Sequence, residues 1–180
     1  MVVTNIPMQF AFSSTNMLFP LRYEINNSTL MNKPTGGFWT STVLGTRKYD
    51  IDGNLYHIPY SDWMDWCIAE RFKIGDKIFV IHPKDNLKVY DINTENDLLN
   101  VPIVNGISDN CIDYKLLWQE GYDGVHISQY IAMALHLHSF NKLMFNSWDS
   151  ESTCWFNIHW IRDYKVIDFK HIKTYLNLNE

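Results

Sequence analysis

A turn that leads into a strand is encoded by residues 33–42, KPTGGFWTST. Gly36 and Gly37 can take positive φ or let the backbone approach another group closely, because they have no Cβ. Aromatic and β-branched residues interleaved with hydroxyls then predict a half-buried strand. Successive side chains of a strand point to opposite faces, so Trp39 and Ser41 share one face. An aromatic ring beside a hydroxyl is a reasonable floor for a planar heterocycle, and a plain hairpin turn is the alternative.

A second polar stretch, SWDSESTCW, covers residues 147–155. Asp149 and Glu151 are two residues apart, so both would project the same way from a strand or an extended loop. Packing between Trp148 and Trp155 would partly desolvate one carboxylate and strengthen the effect of its charge. Such a carboxylate can bind a sugar hydroxyl and stabilise positive charge at an anomeric carbon. A solvated loop is the alternative, because Asp, Ser, Glu and Thr are common in one.

Around these two stretches, the pattern predicts many short strands with a few inserted helices. Strands are predicted at 8–12, 18–25, 38–44, 77–82, 87–91, 123–127, 142–145, 153–159 and 164–169. Helices are predicted after a cap at Ser61 or Asp62 and over 94–100, 113–120 and 128–138. Residues 48–60 are polar and rich in turn formers, and Asp52-Gly53-Asn54 is their best turn signal. This arrangement favours an α+β fold over an alternating parallel sheet.

Length and composition fit one folded domain that spans residues 1–180. Hydrophobic residues make up 46% and charged residues 19%, as in an ordinary globular protein. The net charge is −5 and the Lys and Arg residues are scattered, so no basic face for duplex nucleic acid is predicted. A small nucleotide stays possible, because one Arg and a few backbone amides can hold a pyrophosphate.

Several other classes of site have no support in the sequence. The three cysteines are far apart, without a Cys-x-x-Cys pair, so neither a disulfide framework nor a zinc site is predicted. The histidines, His126 among them, are isolated from ligand partners at metal-binding spacing, so no metal site is predicted. P-loop, Rossmann and hydrolase-elbow motifs are absent. No signal peptide or long apolar run is found, and we expect a cytoplasmic protein.

Arg22 lies in an apolar, strand-like segment, LRYE at residues 21–24. Its planar fork of donors suits a phosphate, while a solvent-facing position or a pair with Glu24 is the alternative. In chain order, Arg22, the strand that carries Ser41, and Glu151 resemble the ADP-ribosyltransferases of the Arg–Ser–Glu type.

The resemblance is closest to a group of small bacteriophage proteins and spans roughly residues 20–160. The shared segments are KPTGGFWTS at 33–41, a Trp-rich helix at 61–67, YDGVH at 122–126 and WDSEST at 148–153. The resemblance implies an α+β fold of the family's type, a split β-sandwich with inserted helices around an NAD-binding cleft. It also implies the host cytoplasm as the location and NAD as the substrate, with no metal.

The family's residue roles carry over to named positions of this chain. The resemblance implies that Arg22 holds the NAD phosphates or the nicotinamide-side ribose. The remaining NAD contacts are expected from Gly36, Gly37, Thr40 and Trp39, the last by stacking on nicotinamide. Ser41 is expected to hydrogen-bond both Glu151 and that ribose.

Glu151 is the expected catalytic carboxylate, which binds a ribose hydroxyl and stabilises an oxocarbenium-like transition state as nicotinamide leaves. Asp149 stands where related enzymes carry a Glu or Gln that orients the acceptor. Because Asp is one methylene shorter, a long-reach role in the modification of protein arginine is in doubt.

The resemblance therefore implies an NAD-dependent mono-ADP-ribosyltransferase that acts on an unknown protein or nucleic-acid acceptor. The alternative is a catalytically weak or inactive module that binds a nucleotide or protein and counters a host defence system. A glycosidase is disfavoured, because Asp149 and Glu151 are too close on one strand to flank a sugar from opposite sides. The enzyme hypothesis requires Ser41 and Glu151 within hydrogen-bonding distance, with Trp39 on the wall of the cleft.

Overall fold

The computed structural model describes residues 2–3, 5–16, 24–28, 33–105, 110–137 and 148–178. These residues form a mixed α+β structure that consists mostly of strands. In chain order the strands are β1 (Val2–Val3), β2 (Gln9–Ser13), β3 (Phe38–Thr42), β4 (Gly45–Ile51), β5 (Asn54–Tyr60), β6 (Lys77–Pro83), β7 (Val89–Ile92), β8 (Ile103–Asn105), β9 (Asn110–Ile112), β10 (Gly124–Ile127), β11 (Ser152–Trp155) and β12 (Ile161–Asp168). The helices are α1 (Asp62–Ala69), α2 (Glu95–Leu99), α3 (Tyr114–Gln119), α4 (Gln129–Leu137) and α5 (Lys170–Tyr175).

One large sheet organises the described residues, with the strand order β1-β7-β10-β11-β3-β2-β6-β12. Most neighbouring strands are antiparallel, but β7 and β10 are parallel. Two small sheets, β4-β5 and β8-β9, complete the set. The α+β class predicted from the sequence is therefore confirmed.

Strand β3 joins the two halves of the large sheet. Its first part pairs with β11, where Thr40 lies opposite Thr153. Its last two residues pair with β2 on the other side, where Ser41 lies opposite Phe10. Because the two pairings are staggered along β3, its end at Thr42 extends past the last described pair with β11.

The two glycines before β3 fix how closely this strand approaches β11. Gly36 and Gly37 have φ of 92° and 80°, a backbone conformation that L side chains rarely adopt. A Cβ on Gly37 would lie 2.8 Å from Cys154 Sγ and 3.1 Å from the Trp155 carbonyl oxygen. The sequence suggested that Gly36 and Gly37 let the backbone approach another group closely. In the structure, that group is the neighbouring strand β11.

Buried hydrogen bonds link the three central strands of the sheet. Trp155 Nε1 donates to Thr40 Oγ1 at 2.7 Å, and Thr40 Oγ1 donates to Gln9 Oε1 at 2.5 Å. Trp155 also stacks on Trp160 with ring centroids 3.9 Å apart. All four side chains are buried, so these bonds satisfy polar groups that water cannot reach.

The sequence located most of the described elements but missed several. The turn signal at Asp52-Gly53-Asn54, within the polar residues 48–60, is confirmed: Asp52 and Gly53 have positive φ and form the turn of the β4-β5 hairpin, whose two strands were not predicted. The polar composition arises because one face of this hairpin is exposed, as the alternating burial of β4 shows. Helix α5 and the β8-β9 pair were not predicted. The strand predicted at 142–145 lies outside the described residues, as does most of the one at 18–25.

Replacement of Gly37 by Ala tests the contact with β11. Gly53→Ala is the matched control, because its φ is also positive, at 76°, but nothing lies within 4 Å of the added methyl group. Gly53→Ala should cost about 1 kcal/mol of unfolding free energy from backbone conformation alone. Gly37→Ala should cost a further ~1–3 kcal/mol from the clash with Cys154 and Trp155. Urea denaturation measures both, and equal losses would contradict the close approach.

Candidate active site

Glu151 lies immediately before β11, at the point where the backbone pairing with β3 ends. Thr153 pairs with Thr40, and continuation of this antiparallel register places Glu151 opposite Thr42. Side chains provide the hydrogen bonds there. The Thr42 N–H donates to Glu151 Oε2 at 2.9 Å, and the Glu151 N–H donates to Gln129 Oε1 at 2.7 Å.

From the described residues, the Glu151 carboxylate accepts four hydrogen bonds. Besides the Thr42 N–H, Ser41 Oγ donates to Oε2 at 2.5 Å, and Thr42 Oγ1 donates to Oε1 at 2.9 Å. His126 Nε2 lies 3.0 Å from Oε1. A carboxylate offers about four lone-pair sites, so every site is used. The hydrogen bond between Ser41 and Glu151 that the enzyme hypothesis requires is present.

His126 bridges two carboxylates from different parts of the sheet. Its Nδ1 lies 2.5 Å from Asp91 Oδ1, while its Nε2 faces Glu151. Burial acts to lower the pKa of His126, but the hydrogen bonds to Asp91 and Glu151 outweigh it and raise the pKa to about 9. Burial likewise acts to raise the pKa of Glu151, yet the hydrogen bonds from His126 and Ser41 bring the net pKa below its usual value. The two pKa shifts favour a charged imidazole ring beside an ionised Glu151 carboxylate at neutral pH.

The sequence offers His126 no carboxylate at the short spacing of a metal-binding motif, and sequence reasoning did not identify its partners. Asp91 is distant in the chain but lies opposite His126 in the parallel β7-β10 pair. A signal was available in the sequence. His126 lies between Val125 and Ile127 as the single polar residue of an apolar strand. Burial of a polar side chain there costs free energy unless it has a hydrogen-bond partner.

A cavity of about 370 Å³ lies beside the Glu151 segment. This volume falls within the range of about 300–1,000 Å³ that is usual for small-molecule sites. Its walls combine four aromatic residues with five polar or charged ones: Lys33, Trp39, Thr40, Trp63, Trp66, Phe72, Asp149, Ser150 and Ser152. Trp39 lies on the wall, as expected, and packs edge-to-face on Trp148 with ring centroids 4.8 Å apart.

Lys33 and Asp149 are the charged groups that line this cavity. Lys33 Nζ lies 5.1 Å from the centroid of the Trp39 ring, within the range of a cation–π contact. Burial lowers the pKa of Lys33, and the negative charge of Asp149 partly opposes this effect. Asp149 and Glu151 therefore have different surroundings, since Asp149 lines the cavity while Glu151 is held in the network with Ser41 and Thr42.

A second carboxylate acts on Glu151 from helix α1. Asp62 is the first residue of α1, which begins after Ser61, and the Ser61 side chain accepts a hydrogen bond from the Met64 N–H. Burial raises the pKa of Asp62, and the negative charge of Glu151 raises it further. Helix α1 thus contributes both a carboxylate near Glu151 and two tryptophans, Trp63 and Trp66, to the same region.

The other residues expected at the site have different positions. Arg22 lies outside the described residues, so its role stays a prediction. Gly36 and Gly37 are not among the residues that line the cavity. Thr40 borders the cavity, but its hydroxyl forms hydrogen bonds with Gln9 and Trp155. These hydrogen bonds connect strands of the sheet.

Within the residues that the structure describes, no group of three or more His, Cys, Asp or Glu side chains could hold a metal ion. No helix in this part of the chain is long and apolar enough to cross a membrane. Comparison with family models, curated proteins and solved structures finds no match to the chain. The description of the site therefore relies on the geometry of the described residues.

The His126 network makes stability depend on pH in a defined window. Because the folded-state pKa of His126 is raised from 6.5 to about 9, its contribution is complete below about pH 6.5 and is lost as the pH rises through about 9. The unfolding free energy of wild type should therefore fall by roughly 1–3 kcal/mol more than that of His126→Gln across this window. Urea denaturation at several pH values measures the difference. Parallel curves for the two proteins would show that His126 is not charged in the folded state.

Proposed function

We propose that this chain is an NAD-dependent mono-ADP-ribosyltransferase with Glu151 as its catalytic carboxylate. The observation that carries the proposal is the buried hydrogen bond from Ser41 to Glu151, which joins residues 110 positions apart in the chain. Ser41 and Glu151 are the Ser and Glu of the Arg–Ser–Glu arrangement. Their meeting beside a cavity with aromatic walls is what a site for NAD cleavage requires.

In the proposed reaction, the bond between the ribose anomeric carbon and the nicotinamide nitrogen breaks. Nicotinamide leaves with the bonding electron pair and becomes neutral, and positive charge develops on the ribose. A nucleophile of the acceptor then bonds to the anomeric carbon and gives up its proton. Glu151 suits this step because its lowered pKa keeps it anionic at neutral pH, and a fixed anion stabilises the developing cation.

The aromatic cavity is the proposed site for the nicotinamide ring. Trp39 and the two tryptophans of α1 offer flat apolar surfaces, and stacking on such rings is favourable for a planar heterocycle. Asp149 and Lys33 provide an acceptor and a donor that can orient polar groups of the substrate. Asp149 also flanks Glu151 in sequence, which suits the proposed role in orienting the acceptor.

Access to Glu151 imposes a condition on this mechanism. The Glu151 side chain uses all four of its acceptor sites within the protein, so a ribose hydroxyl must replace one of the donors. Two of them, the side chains of Thr42 and His126, border a second cavity of about 110 Å³, together with Ile6, Pro7 and Asp91. We therefore expect exchange at Oε1, which these two side chains share.

The finer features of the family belong to the same proposal. The split β-sandwich rests on the resemblance, while the described strands form one eight-stranded sheet and two two-stranded sheets. The host cytoplasm as the location, a phage origin and an acceptor in the form of a protein or nucleic acid rest on the resemblance. An acidic chain without a basic face would contact nucleic acid through single strands and stacking.

A second candidate function is a nucleotide-binding or protein-binding module that performs no transfer and counters a host defence system. The observation that favours it is the burial of Glu151, which is 5% exposed and fully hydrogen-bonded. Such a carboxylate can serve purely to join β3 and β11. The two functions differ in whether bound NAD loses nicotinamide.

Nicotinamide release from NAD decides between these functions. Wild type, incubated with protein and nucleic-acid extracts as acceptors, should release nicotinamide. Glu151→Gln should lower the rate by about 100-fold or more, because it removes the fixed negative charge with little change of shape. Ser41→Ala should lower it less, and Glu95→Gln, an exposed site on α2, is the matched control. Binding of NAD without release would support the binding module, and an unaffected Glu151→Gln would overturn the site assignment.

A further inference from the structure

We propose that His126 is a positioning residue of this site, which donates one N–H to Asp91 and the other to Glu151 and so holds the Glu151 carboxylate ionised beside Ser41. The expected effect of His126 on turnover rests on the proposed function. The protonation state of His126 is independent of that function, and it can be measured in the protein without any substrate.

A carboxylate oxygen faces each ring nitrogen of His126, so both nitrogens must carry a proton if the ring is to donate to both oxygens. A neutral imidazole has one N–H and one lone pair, so it can donate to only one carboxylate. The nitrogens of His126 lie 2.5 Å from Asp91 Oδ1 and 3.0 Å from Glu151 Oε1. With a neutral ring, one nitrogen lone pair would face an anionic oxygen at hydrogen-bonding distance, which is repulsive. As long as Asp91 and Glu151 are both ionised, the two contacts are attractive only when the ring is an imidazolium.

Strand pairing fixes this geometry on both sides. Strand β10 lies between β7 and β11, so a polar side chain on β10 can bond to groups from both neighbours. His126 is opposite Asp91 in the parallel pair and opposite Thr153 in the antiparallel pair. Asp91 itself accepts a hydrogen bond from Asn93 Nδ2, so the anchor of the imidazole is held in turn.

The charges that face His126 make its proton necessary. Asp91 on β7 and Glu151 before β11 contact it directly, and Asp62 at the start of α1 acts on Glu151. Helix α4 contributes the neutral Gln129, which binds the Glu151 N–H. Without the imidazolium, buried carboxylates would repel one another and one would take up a proton.

His126 is also placed to exchange with a substrate. It borders the cavity of about 110 Å³, and its contact with Glu151 is the longest of the four at 3.0 Å. A ribose hydroxyl that takes its place at Oε1 would leave the imidazolium anchored on Asp91 and close to the carboxylate. Glu151 would then stay ionised throughout the reaction.

Side-chain ¹⁵N NMR of the full chain tests the charge of His126 directly. In wild type both ring nitrogens should carry protons at neutral pH, with loss of the proton near pH 9. Glu151→Gln and Asp91→Asn should each lower this midpoint, because each removes one anionic partner. His82→Gln is the matched control, since it removes the exposed His82–Asp163 pair between β6 and β12. A wild-type midpoint near 6.5, or one that Glu151→Gln leaves unchanged, would overturn the proposal.

Nicotinamide release provides the functional arm of the test. His126→Gln keeps one neutral donor, and it should lower kcat by about 10- to 100-fold with little change in KM, because Glu151 loses its fixed position and charge. Added imidazole should restore part of the rate of His126→Ala, and the decline of the wild-type rate near pH 9 should vanish in His126→Gln. A His126→Gln enzyme with the wild-type rate and pH profile would overturn the role in turnover. If wild type releases no nicotinamide, the proposed function fails and the NMR titration alone decides the role of His126.

Discussion

The structure depends on how a buried carboxylate is accommodated where β3 and β11 stop pairing. A charge removed from water costs several kcal/mol unless hydrogen bonds replace its hydration. Glu151 meets this requirement with Ser41, Thr42 and His126, and its own N–H is bound by Gln129. These groups come from β3, β10 and the start of α4, so the side chain and backbone of one residue connect three parts of the fold.

The turn before β3 allows the close strand pairing that brings these groups together. Gly37 has no Cβ and so allows β3 to approach Cys154 and Trp155 on β11. Once the pair is formed, Thr40 is opposite Thr153, and Glu151 necessarily lies beside Thr42. The same strand presents Trp39 to the cavity. The backbone geometry at Gly37 thus permits the strand pairing, and the strand pairing positions the residues of the candidate site.

Part of this arrangement could be predicted from the sequence, because some of its signals are local. The glycine pair, the alternating strand and the carboxylate between tryptophans are readable within ten residues, and the resemblance linked Ser41 to Glu151. His126 and Asp91 could not be paired in this way. Their contact follows from a parallel register between strands joined by a long connection, and no local pattern encodes that register. The expected role of Thr40 at the substrate site stays a prediction: the residue borders the cavity, and its hydroxyl forms a buried chain of hydrogen bonds with Gln9 and Trp155 that no local pattern indicates.

A crystal structure of the protein with an NAD analogue tests the central claim most directly. In this analogue a methylene group replaces the ring oxygen of the nicotinamide-side ribose, so the bond to nicotinamide resists cleavage. Our account predicts the nicotinamide ring against Trp39 and a ribose hydroxyl within about 3 Å of Glu151 Oε1. In that complex, the Ser41–Glu151 hydrogen bond should be unchanged. An analogue bound with its ribose more than about 10 Å from Glu151, or no binding at millimolar concentration, would contradict the account.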